Sequence, residues 1–227
     1  MDKTEFITWA RKLAMTYEPR TEVRDKLSHV RLIAFVGPTG VGKTTIIQST
    51  ELAYVKSDVT RHPRDGEKNG REYNFRDDYM QILDDIKNGR YVQFVINSNN
   101  EFYGTLADEY PEGGNCTMAI IAKAVPHFRN LGFADVLPIY VLPPSYVVWM
   151  KRIGSVRSED LKARFVEARE SLPIALDDSK YHFVLNDNLE DVLKDIDSII
   201  KGEPVSEHRT SLARQTAELL IGRLGDD

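Results

Sequence analysis

The stretch Gly37-Pro38-Thr39-Gly40-Val41-Gly42-Lys43-Thr44 fits G-x-x-x-x-G-K-[ST], and nothing else in the chain restricts the fold as tightly. The apolar run at 32–36 precedes it, and Ile46 and Ile47 follow it at positions that suit a helix. A buried strand entering a glycine turn that opens a helix is a unit of parallel sheets covered by helices. The glycines let backbone N–H groups converge on an anion, and the helix adds its positive end. In this pattern the lysine, Lys43, reaches the β- and γ-phosphates of a nucleotide, and the hydroxyl of Thr44 sits on Mg²⁺. Gly37, Thr39, Gly40, Gly42, Lys43, Thr44 and Thr45 are therefore candidate phosphate ligands, with Thr44 the candidate metal ligand.

The remaining pattern supports an α/β fold. Phe6, Trp9, Ala10, Leu13, Ala14 and Tyr17 recur at helical spacing, predicting a helix over 2–18. Strands are predicted at 29–36, 91–97, 116–122, 136–142 and 181–186. Helices are predicted from about 42, and over 77–89, 124–131, 145–153, 159–172, 189–202 and 206–224. The polar segment 57–76 reads as a loop with short strands, and Asp77, Asp78, Asp84 and Asp85 as the solvated face of one helix. In the tail, Leu212, Leu219, Leu220 and Leu224 form an apolar stripe that packs on the same subunit or pairs two subunits.

Composition narrows the class. A hydrophobic content of 41% is enough for a core, and the formal charge of -5 argues against a general nucleic-acid surface. No apolar run is long enough to span a membrane. The first residues mix charges through their apolar positions, unlike a signal peptide. A lone cysteine, Cys116, forms no internal disulfide and reads as a buried structural thiol. A cytoplasmic protein is expected.

The glycine loop also resembles that of signal-recognition-type GTPases. Their Asp-Thr-Ala-Gly switch and Thr-Lys-x-Asp guanine reader are absent, which sets that class aside.

A second basic site lies downstream. Arg61 and Arg64 are three apart on a loop stiffened by Pro63. Two guanidinium forks so held suit a phosphate dianion. Ser57, Thr60, Arg61, Pro63, Arg64, Gly66, Glu67, Gly70, Tyr73 and Phe75 together resemble the guanylate kinase family. The block Tyr103-Gly104-Thr105 and the segments 140–145 and 184–190 extend the likeness in order over residues 30–200. The resemblance implies ATP as co-substrate with Mg²⁺, and a nucleoside monophosphate (NMP) as acceptor. It implies that Arg61, Arg64, Tyr73 and Tyr103 hold the acceptor phosphate, that Ser57 and Thr105 touch the base, and that Asn186 touches the donor adenine. Arg152 and Arg164 match arginines on a lid that closes over the phosphates. Arg157 matches poorly, because this segment is shorter than the usual lid.

The chain departs from the family where guanine is read. The family uses two carboxylates, acceptor-only groups that match the donors on guanine N1 and N2. Gln93 stands in place of the first. Ile120 and Ala122 align with the Asp-x-Asp strand that supplies the second, and Glu101, Asp108 and Glu109 are the nearby acids that can compensate.

These readings predict a P-loop NTPase-type parallel sheet wrapped by helices, with an inserted NMP-binding lobe at about 57–105 and a lid at about 152–164. Residues 1–29 and 203–227 form helical extensions of a guanylate-kinase-like body at 30–202. The expected activity is transfer of the ATP γ-phosphate to an NMP, with GMP or dGMP first, in a monomer or homodimer whose partners are small nucleotides. The alternatives are a kinase for a different NMP, a kinase for a non-nucleotide sugar phosphate, and an inactive interaction module built on the same fold.

Overall fold

A computed structural model describes the chain except residues 65, 72, 155–157 and 226–227, and except the side chains of 158–163 and 225. In chain order its main elements are α1 (Lys3–Ala14), α2 (Thr21–Leu27), β1 (Val30–Val36), α3 (Lys43–Ser49), β2 (Ala53–Tyr54), β3 (Ser57–Val59) and β4 (Tyr73–Phe75). They continue with α4 (Tyr79–Lys87), β5 (Tyr91–Ile96), β6 (Phe102–Leu106), β7 (Gly114–Ala119), α5 (Val125–Arg129), β8 (Asp135–Leu142) and α6 (Tyr146–Ile153). The last are α7 (Ser158–Asp177), β9 (His182–Leu185), α8 (Leu189–Lys201) and α9 (Glu207–Gly225). One sheet has five strands in the order β2-β7-β1-β8-β9, and the other has four in the order β4-β3-β6-β5. This is the α/β fold that the sequence predicts.

The chain divides into two compact units. The first comprises Met1–Arg31, Ala53–Cys116 and Leu131–Ala134. The second comprises Leu32–Leu52, Thr117–Asn130 and Asp135–Asp227.

In the first unit β6 pairs antiparallel with β3 and β5, while β3 and β4 run parallel. α1 starts where the Asp2 carboxylate caps the Glu5 N–H. Its apolar face buries Phe6, Ile7 and Ala10 against Ile82, Leu83 and Ile86 of α4 and Tyr91 and Phe102 of the sheet. Phe6 meets the Phe102 ring edge-on at 5.7 Å and stacks on Tyr79 at 5.3 Å. The predicted N-terminal helix thus exists but stops at Ala14, and α2 follows as a separate helix that the sequence reading missed. The reading of four solvated aspartates on one helix is corrected: α4 begins at Tyr79, after Asp77 and Asp78. Asp85 is buried, accepting from Arg90 at 2.8 Å and from Gln81 at 3.1 Å.

In the second unit β8 and β9 are parallel. β8 is buried along nearly its whole length, consistent with a strand covered on both faces. α8 is capped by the Asn188 side chain at its start and stopped by Gly202 at φ 71°. α9 packs on α7 and β9. The expected tail stripe is corrected: Leu212 and Leu219 are exposed, and Ala213, Ala217, Leu220 and Leu224 form the buried face. Cys116 is buried, and burial pushes its thiol up to about 12, so it stays protonated at neutral pH.

Candidate active site

The glycine loop joins β1 to α3 in the second unit. Gly37, Gly40 and Gly42 take φ values of 136°, 88° and 98°, a region that side chains with a Cβ rarely adopt. Space adds a second requirement. A Cβ on Gly37 would lie 2.5 Å from the Val141 carbonyl oxygen, and one on Gly42 would lie 2.2 Å from the Asn186 amide nitrogen.

Lys43 folds back over this loop and donates to the carbonyls of Gly37 and Pro38. Burial lowers its ammonium to about 8, and the nearby Glu167 carboxylate works in the opposite direction. Glu167 lies on α7 and accepts a hydrogen bond from the Thr39 hydroxyl at 3.1 Å. Thr44 and Thr45, on the first turn of α3, are exposed. The loop is braced from its far side. Trp149 on α6 donates to the Thr39 carbonyl at 3.0 Å, and Asn186 donates to the Val41 carbonyl at 2.7 Å. The Arg152 guanidinium donates to the carbonyls of Val41 and Asn186, at 3.3 and 2.9 Å. Arg164 lies half-buried on α7, three residues before Glu167. Arg157 lies outside the described residues, as do the side chains of 158–163 in the predicted lid.

Beside Gly37 is a cavity of about 210 Å³ lined by Ile121, Ala122, Lys123, Val166, Glu167 and Glu170 among others. The strand expected at 116–122 is shifted here. β7 runs from Gly114 to Ala119, Ala122 is buried, and Ile121 is among the exposed side chains at the cavity. The three compensating acids expected nearby are engaged within the first unit. Glu101 accepts from Lys3 and Thr60, Asp108 pairs with Arg90, and Glu109 pairs with Lys56 and Asn74. The carboxylate that stands by the loop is Glu167. Sequence reasoning missed it because the bond to Thr39 spans 128 residues; the only hint was its helical spacing from Arg164. Among the described residues no group of three or more His, Cys, Asp or Glu is arranged to hold a metal.

The second predicted cluster lies in the first unit, on one face of the four-stranded sheet. Gln93 pairs with Thr105, Val59 with Tyr103, and Ser57 with Tyr73. Asp58 pairs with Gly104, so Ser57 falls beside Thr105. Because cross-strand partners share a face, Tyr73, Ser57, Thr105, Gln93 and Tyr103 all point to the same side. Arg61 extends this side from the end of β3. Its guanidinium donates to the Tyr103 hydroxyl at 3.1 Å and lies 4.9 Å from the centre of the Tyr73 ring. Glu67 grips Arg61 bidentately at 2.6 and 2.8 Å and accepts the Arg64 N–H at 2.8 Å. The Glu67 carboxyl is held below its usual range chiefly by the Arg61 bonds, so the pair stays charged. Burial raises Tyr73, which keeps its hydroxyl a donor. The Arg64 side chain is exposed at the rim. Thr105 is fully buried and its hydroxyl meets that of Tyr110 at 3.1 Å, a partner that the sequence did not suggest.

On the opposite side of β3 the buried Asp58 accepts from Tyr91 at 2.7 Å, Arg76 at 2.7 Å and Asn74 at 3.0 Å. Desolvation outweighs these partners and raises its carboxyl. The network fixes β3, and with it the strand end that carries Arg61.

Comparison with known proteins places the chain in a family. The sequence model of the guanylate kinase family matches residues 29–203. The guanylate kinase of Bacillus subtilis is 31% identical over 195 residues, covering 79% of this chain and 92% of its own. That of Trichodesmium erythraeum is 30% identical over 182 residues, covering 75% and 95%. A crystal structure of guanylate kinase from Anaplasma phagocytophilum superposes with a TM-score of 0.55 at 22% identity, covering 86% of this chain and 97% of that one. On the family match and the extent of these relatives, the chain belongs to the guanylate kinase family.

Proposed function

We propose that the chain is an ATP-dependent nucleoside monophosphate kinase that transfers the γ-phosphate of ATP to GMP or dGMP, acting in the cytoplasm. The observation that supports this reading is a pair of cationic clusters, each of the chemistry that a phosphate needs. One is the glycine loop with the half-buried Lys43 folded over it; the other is Arg61, bonded to Tyr103 and lying over Tyr73, with Arg64 three residues on.

In this reading the N–H groups of Gly37–Thr44 and the start of α3 take the donor phosphates. Lys43 leaves the carbonyls of Gly37 and Pro38 for the β- and γ-oxygens. The exposed hydroxyl of Thr44 suits Mg²⁺, which accepts few protein ligands and keeps water and phosphate oxygens as the rest. When bound, Mg²⁺ neutralises charge on the β- and γ-oxygens. Arg152 and Arg164 supply further positive charge where the moving group passes, and Asn186 faces the adenine. Arg64 and the hydroxyls of Tyr73 and Tyr103 hold the acceptor phosphate, with Arg61 oriented by Glu67. Ser57, Thr105 and Gln93 face the acceptor base.

A second reading, a different NMP as the preferred acceptor, has specific support. Gln93 offers donors as well as an acceptor where the family has a carboxylate, and Ala122, matched to the second carboxylate, has none to offer. Thermal shift with each common NMP and dNMP tests the choice, since a ligand of the folded state raises the melting temperature. The largest shift is expected with GMP or dGMP. A larger shift with another base would move the substrate assignment, and no shift with any would remove the acceptor site.

A further inference from the structure

We infer that Arg209, on the C-terminal helix outside the family match, is a positioning residue for the ATP-binding side of the molecule. The inference rests on the kinase reading above. α9 begins after the last matched residue, 203, so the family pattern assigns it no part. Yet Arg209 uses its guanidinium on the segment that carries Asn186. Its Nε donates to Asp195 at 2.6 Å, its Nη1 and Nη2 to Asp187 at 3.3 and 3.1 Å, and Nη2 also to the Leu185 carbonyl at 3.4 Å. Residues 185–188 are thereby held from one side by the tail. From the other side they are held by Arg152, bonded to the Asn186 carbonyl, and by the Asn186 N–H, bonded to the Leu142 carbonyl at 2.8 Å. Asn186 in turn bonds the Val41 carbonyl and fills the space that Gly42 leaves open. Bonds therefore link Arg209 through Leu185 and Asp187 to Asn186, and through Asn186 to the phosphate loop.

The placement of Arg209 is itself fixed. Ala213, Ala217, Leu220 and Leu224 bury the inner face of α9, and Arg169 of α7 donates to the Leu224 carbonyl near its end. The charges match. Asp195 is buried and Asp187 partly so, and Arg209 holds the Asp187 carboxyl below its usual range. A planar fork is needed to reach two carboxylates and a carbonyl together; a lysine ammonium cannot span them.

The test is MgATP binding, by calorimetry, to the full chain and to two variants, Arg209→Lys and Asp187→Asn. Each keeps a polar group in place of the buried one, and the second stands in if the first fails to fold. The expected result is a rise in the ATP Kd of about five- to tenfold, the usual scale of coupling through a contact network, with the acceptor NMP Kd unchanged. A lower melting temperature with an unchanged ATP Kd would overturn the inference, leaving Arg209 a structural brace alone. An equal rise in both Kd values would overturn it too. If the wild-type chain binds no MgATP, the kinase reading falls and the inference with it, a result distinguishable because it appears before any variant is made.

Discussion

Lys43 is charged, half-buried and folded onto the carbonyls of its own loop, and the Glu167 carboxylate opposes the loss of its proton. Its ammonium sits near 8, below its value in the unfolded chain, so the proton leaves as the pH rises through 8. A phosphate needs the charged form. Affinity for ATP is therefore expected to be full at neutral pH and to weaken above about 8, with proton uptake on binding in that range. Removing the Glu167 charge removes a term that raises Lys43, so Glu167→Gln should move the weakening to lower pH. Calorimetry in buffers of differing ionisation enthalpy reads both effects; an identical pH profile for the variant would separate Glu167 from Lys43. Gln93 poses the matching question at the other site. It lies on the face shared by Ser57 and Thr105, so Gln93→Glu should restore an acceptor-only group and shift the NMP preference toward GMP. Unchanged relative kcat/KM values would show that residue 93 does not meet the base.

The elements differ in how far the sequence foretold them. The strand, glycine turn and helix around Lys43 were legible because each depends on neighbours in the chain: apolar run, positive φ and helix start. The grouping of Arg61 with Tyr73 and Tyr103 was expected from the family likeness, and the sheet register places the two tyrosines on the side that Arg61 reaches. What stayed hidden depends on long-range packing. Glu167 meets Thr39 from another helix, Tyr110 takes the Thr105 hydroxyl, and Asp85 turns inward to Arg90. The strand predicted at 116–122 ends instead at Ala119, because a 3-10 turn takes up Ala122–Ala124. α1 also gained a role that its amphipathic pattern alone did not give. Lys3 bonds Glu101 at 2.6 Å and the Thr60 carbonyl at 3.2 Å, directly before Arg61, and Phe6 fills the core beneath the sheet. Phe6→Ala should cost about 3–5 kcal/mol, the usual loss for a large buried aromatic. Denaturant unfolding measures it, and a loss within error of zero would show that α1 adds nothing to the first unit's stability.

At the scale of the whole chain, the family match ends at 203 while the fold does not. The N-terminal helix packs under the sheet that carries Ser57, Tyr73, Gln93 and Tyr103, and the C-terminal helix reaches the segment that carries Asn186. Each extension thus stays within its own unit, and each contacts a segment next to a predicted substrate-binding residue. The sequence showed that these helices exist but not which surfaces they cover, because α9 buries Ala213 and Ala217 together with Leu220 and Leu224 and leaves Leu212 and Leu219 exposed. The central claim, that this fold transfers a phosphoryl group between nucleotides, is tested most directly by coupled ADP release with MgATP and each NMP and dNMP in turn. Turnover with GMP or dGMP is expected, and Lys43→Ala should reduce it by about a hundredfold or more, the scale of lost charge stabilisation at a phosphoryl group. ADP release no higher than the acceptor-free background with every NMP would contradict it.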